Sequence, residues 1–92
     1  MTKPMKTRPK IKVVFKELGE HPPTNTNSTD FGQADKETGE VTLDPRQPES
    51  ELLDSSVHEF LHVACPWMAE KNVATTATIV ANALWNMGYR RK

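Results

Sequence analysis

With a single cysteine, Cys65, the chain cannot form an internal disulfide, and no redox framework can substitute for a core. Aromatic residues are scarce at 7%, and the hydrophobic fraction is only 36%. No run approaches the roughly 20 apolar residues that a bilayer span requires, and the amino-terminal stretch lacks a signal-peptide core. The expected setting is therefore the cytoplasm, with no membrane association. Histidine is rare too, with three among 92 residues. A domain of this size buries only about 60–65% of its unfolded surface, so a bound metal that also contributes to folding would suit the composition.

The formal net charge is zero but unevenly placed. Residues 1–16 carry Lys3, Lys6, Arg8, Lys10, Lys12 and Lys16 with no acid, and the chain closes on Arg90-Arg91-Lys92. All the acids fall between Glu17 and Glu70. Like-charge blocks at termini are usually solvated flanks, although such ends can contact nucleic acid. Residues 1–9, basic and proline-punctuated, are expected to be a flexible terminus, with one domain over 10–92.

Ile11, Val13 and Phe15 alternate with polar or smaller neighbours, which predicts a half-buried strand. From Gly19 to Asp30 the only apolar residues are prolines, and a long loop is expected. Phe31–Ala34 and Glu40–Asp44 flank a turn containing Gly39, a β-hairpin pattern. Apolar residues at 52, 53, 57, 60, 61 and 64 have helical spacing. That helix would start at Ser50 as N-cap and stop at Pro66. A second helix from Glu70 has a stripe at Val73, Ala77, Val80, Leu84 and Met87, with Gly88 as its C-cap signal. The order predicts an α+β fold, a small sheet of about three strands with two helices on one face.

His58-Glu59-Phe60-Leu61-His62 falls inside the first helix. Four residues advance a helix by about 400°, so both imidazoles leave one face and can reach a single tetrahedral zinc. Glu59 lies about 100° round, beside the metal, where its carboxylate could act as general base towards a water. Phe60, Leu61, Val57 and Ala64 are apolar, so two unligated imidazoles on such a helix would be costly to bury.

Val57-His58-Glu59-Phe60-Leu61-His62-Val63, preceded by Glu40-Val41-Thr42-Leu43-Asp44, resembles the zincin metallopeptidases. In size the chain is similar to minimal gluzincin-like proteins of phage and prophage type. The resemblance covers roughly residues 40–88. It implies peptide-bond hydrolysis on a peptide or protein substrate, with Glu59 as general base. It also implies that the 40–44 strand is a sheet edge to which substrate adds as a further strand.

The third zinc ligand distinguishes the subfamilies. After His62 the chain has no histidine and no aspartate, and Glu70 is its one remaining glutamate. That favours Glu70 as in gluzincins, with Cys65 downstream and His21 or Asp44 upstream as alternatives. Asp54, one turn before His58, could orient its imidazole. Tyr89 could donate to an oxyanion, and Trp67 and Trp85 read as core or interface anchors. Against a hydrolase stands a second expectation, a non-catalytic zinc-stabilised module whose basic ends touch nucleic acid or a protein partner.

Overall fold

A computed structural model of the chain describes residues 10–20 and 31–91. In chain order the elements are β1 (Lys12–Phe15), β2 (Gly32–Ala34), β3 (Glu40–Leu43), α1 (Glu49–Ala64) and α2 (Glu70–Asn86). The α+β reading is correct: the fold is a three-stranded mixed sheet with two helices, of which α1 alone touches the sheet. The helix α1 packs on β2 and β3, and α2 packs on α1. No described helix is long and apolar enough to cross a membrane.

The hairpin forms where turn chemistry favours it. The Asp35 carboxylate accepts the backbone N–H groups of Glu37 (2.9 Å) and Thr38 (3.2 Å). The Gly39 N–H reaches back to the Asp35 carbonyl at 2.8 Å. Gly39 takes φ +81°, which an L side chain would resist. Val41 and Leu43 point into the core and are essentially inaccessible, while Thr42 faces the other side.

The strand order is β1-β3-β2, with β1 parallel and β2 antiparallel to β3. This corrects one expectation. The 40–44 segment is the central strand, hydrogen-bonded on both sides, and cannot serve as a docking edge. Alternation of Val41, Thr42 and Leu43 is common to edge and central strands, so the pattern could not distinguish them. Among the described residues, β1 and β2 are the outer strands of the sheet.

The first helix starts slightly earlier than expected. Pro48 occupies the N-cap position (φ −57°, ψ 153°) and Ser50 lies within the first turn. The Pro48 carbonyl accepts the Leu52 N–H at 2.7 Å, so the fixed proline φ begins the helix without a side-chain cap. The second helix ends as its glycine suggests. Gly88 sits at φ +98°, its N–H bonds the Trp85 carbonyl and that of Tyr89 bonds Leu84, a Schellman arrangement.

Val41, Leu43, Leu52 and Val63 form the central cluster, flanked by Ala34 and Phe60. On α2 the buried stripe is Val73, Ala77 and Ala81. Val80 and Met87, expected there, are exposed at 39% and 71%. Small residues at 77 and 81 let α2 approach α1 closely, and the larger side chains turn outward. Trp67, 71% exposed, is no core anchor.

Asp44 and Gln47 are buried polar residues joining sheet to helix. Asp44 accepts the N–H groups of Leu18 and Arg46 at 2.9 Å each. The Arg46 guanidinium grips both its oxygens at 3.0 and 2.8 Å. Gln47 donates to the carbonyls of Phe31 and Asp44, and Ser55 donates to its Oε1 at 2.8 Å. This network ties the start of β2, the end of β3 and the first turns of α1 into one unit.

Candidate functional site

His58 and His62 leave α1 one turn apart, as their spacing requires, with ring centroids 5.0 Å apart. Their partner comes from α2. The first helix closes at Cys65, whose N–H bonds the Leu61 carbonyl, and Pro66 prevents its continuation. A tight turn, with Met68 N–H on the Cys65 carbonyl at 2.9 Å, sends the chain back. Glu70 is the first residue of α2. The two helices are held side by side by the small buried stripe and by the Thr78 hydroxyl, which donates to Asp54 at 3.1 Å.

The Glu70 carboxylate therefore meets both imidazoles. Its Oε2 lies 3.1 Å from His58 Nε2, and its Oε1 lies 2.9 Å from His62 Nε2. One ligand atom from each of the three residues falls within 4.8 Å of the others. An imidazole nitrogen carrying a lone pair cannot rest against a carboxylate oxygen at such distances. Either a proton or a cation must stand between them. Two nitrogens and one carboxylate oxygen form the donor set of a three-ligand zinc site, and tetrahedral bonds of about 2.0–2.1 Å put ligand atoms about 3.3 Å apart. The donor types suit that ion, and ligand atoms now up to 4.8 Å apart would draw inward around it.

Glu59 is not one of the three clustered residues. With Phe31, Gly32, Asp54, Ser55, His58 and Glu70 it lines a cleft of about 440 Å³. Burial pushes its carboxyl above the usual carboxylate range. His58 and His62 oppose that shift, and the Glu70 charge adds to it. Gly32 makes this position accessible. A Cβ there would come within 3.1 Å of Glu59 Cγ, 3.0 Å of Leu43 Cδ2 and 3.1 Å of the Thr42 carbonyl. Glycine lets the glutamate stem lie against β2. The sequence offered one signal for this, a glycine inside a short strand, which often marks close backbone approach.

The other candidates separate cleanly. Asp44 is excluded as a ligand, since it is fully buried and held by Arg46 and Leu18. The Arg46 guanidinium holds its carboxyl far below the usual range. Cys65 caps α1, and it is not part of the ligand cluster among the described residues. Asp54 lines the cleft, and its carboxylate accepts the Thr78 hydroxyl from α2. Tyr89 belongs to a different surface, an apolar trough. His21 lies outside the described residues. Gln47 and Ser55, which brace the helix that carries the histidines, were not singled out from the sequence. No family model, curated protein or solved structure matches the chain.

Proposed function

We propose that the chain is a small zinc-dependent hydrolase of peptide bonds, with His58, His62 and Glu70 holding the ion and Glu59 moving the proton. One observation carries this reading. The carboxylate of Glu70 converges on both imidazoles, while a second, half-buried carboxylate stands in the same cleft without joining the cluster. A purely structural site has no use for that second group and is closed by a fourth protein ligand.

Zinc bound there would supply Lewis acidity and make water a competent nucleophile near neutral pH. Glu59 accepts the proton of the water that attacks the peptide carbonyl carbon, then delivers it to the departing amide nitrogen as the C–N bond breaks. Its desolvated position and raised affinity for protons suit both halves of that transfer. Substrate would align on β2 instead of β3. The Asp35 N–H donates to the Glu40 carbonyl and the Asp44 N–H to that of Phe31, so in the antiparallel register Gly32 and Ala34 turn their backbone groups to the outer edge. That edge borders the cleft through Gly32, and an extended peptide could pair with it.

The experiment is Glu59→Gln on the zinc-loaded full chain, assayed on casein or a mixed peptide library. Hydrolysis should fall by about 10²–10⁴-fold while zinc stays bound. Loss of zinc with the substitution, or no wild-type hydrolysis at all, would overturn the hydrolase reading. Salt-sensitive nucleic-acid binding in the latter case would favour the interaction module.

A further inference from the structure

The helix α1 covers β2 and β3 but leaves the inner face of β1 open. There a trough of about 490 Å³ runs between Val13 and Phe15 on one side and Leu53 and Phe60 on the other. Trp85 and Tyr89 also line it. Val13, Phe15 and Tyr89 remain 40%, 41% and 57% exposed, a contiguous apolar surface of the kind that marks an interaction site.

Among the described residues, the strand beside this trough is an outer strand paired on one side alone. Lys12 and Lys16 give their N–H groups to Gly39 and Leu43 of the hairpin. By the alternation of a parallel ladder, the backbone N–H and C=O groups of Val13 and Phe15 point outward. Their side chains point into the trough. Lys12 and Lys16 project from the opposite face and are exposed.

The rim is also basic. Arg90 lies over the Trp85 ring at 3.3 Å and is fixed by bonds to the Trp85 and Tyr89 carbonyls. Arg91 lies over the Phe15 ring at 4.1 Å. Glu49 is the one acid in the lining. Both faces of the edge thus present cations around an apolar floor. A second copy of this chain pairing edge to edge would set Lys12 and Lys16 against their own duplicates, which is unfavourable for directly opposed charges. Charge complementarity selects a different occupant.

We propose that β1 is a docking edge for an extended segment of a partner protein in which apolar and acidic residues alternate. The segment adds a fourth strand at Val13 and Phe15. Its apolar side chains fill the trough, and its acids meet Lys12 and Lys16 on the other face, with its flanking charge reaching Arg90 and Arg91. This site is remote from the histidines and does not depend on the hydrolase reading.

The test uses the zinc-loaded full chain and a short fluorescein-labelled peptide alternating valine with glutamate. Binding is read by anisotropy, and the contact by amide hydrogen exchange. The expected result is saturable binding with new protection at the Val13 and Phe15 amides. Val13→Pro removes one outward donor on an edge strand, where proline is tolerated, and should abolish binding. The exposed pair Lys12→Glu with Lys16→Glu should weaken it by more than about tenfold and admit the lysine version of the peptide instead. Four results would overturn the proposal: no binding, equal binding of the glutamate and lysine peptides by the unaltered chain, protection at Gly32 and Ala34 instead, or Val13 and Phe15 amides already protected in the free chain. In the last case a second copy or the chain's own flank covers the edge.

Discussion

Two grooves flank the same helix and share almost no chemistry. On one side of α1, Glu51, Asp54, Ser55, His58 and Glu59 line a polar cleft; on the other, Leu52, Leu53, Ser56 and Phe60 line an apolar trough. The sheet reproduces the division. Its β2 edge offers a glycine to the polar side, and its β1 edge offers valine and phenylalanine to the apolar side. One helical period sorts sixteen residues onto separate faces. Because the grooves lie on opposite sides of a rigid element, each can be perturbed without the other.

The largest effect should come from the double change His58→Ala, His62→Ala. About one zinc per chain, measured by elemental analysis, should fall to none. The melting temperature should drop to that of the chelator-treated wild type, since a ligand bound only by the folded state stabilises it. Peptide binding at β1 should persist if the two sides are independent. Next in size, Glu70→Ala should weaken zinc by at least about tenfold in competition with a chromophoric chelator. Unchanged affinity would remove Glu70 from the ligand set.

Asp44→Ala probes the network beneath both grooves. Stripping two backbone donors of their acceptor and breaking the Arg46 guanidinium's bonds to this carboxylate should cost about 3 kcal/mol in urea unfolding. The same carboxylate predicts an acid limb. Its pKa is held below the unfolded value of about 3.9, so between the two the unfolded chain binds more protons. That contribution is complete above the unfolded value and is lost as pH falls towards the folded one. In Asp44→Asn this part of the acid limb should flatten.

The smallest expected effect is in some ways the sharpest. Gly32→Ala places a methyl against Glu59 Cγ and the Thr42 carbonyl. Stability should fall by only about 1–2 kcal/mol, zinc should be retained, and hydrolysis should decline with kcat rather than KM. A comparable decline in zinc affinity would mean that the glycine serves the whole cluster and not the glutamate.

The polar groove was far more legible than the apolar one. His58, Glu59 and His62 are local in sequence and fixed by helical geometry, and Pro66 announced the turn that returns Glu70 to them. The trough depends on β1 pairing with β3, a contact between Lys12 and Glu40 across the intervening hairpin strand, and no local pattern encodes that register. Central placement of β3 was hidden for the same reason. On α2 both Val80 and Ala81 continue the apolar spacing from Ala77, at i+3 and i+4, so periodicity alone could not show that Ala81 is the buried one. Gln47 and Ser55 carry no motif. Their pairing appears only when the linker folds over the start of the helix.

The turn between the helices also bears on the order of events during folding. His62 and Glu70 are eight residues apart, so closing that loop costs little chain entropy. The α-hairpin can form in the earliest microseconds, bringing the residues proposed to hold zinc together before the sheet exists. Pairing of β1 requires a far longer closure and should come last. Zinc added during refolding should then accelerate the main phase, while zinc added afterwards should only slow unfolding.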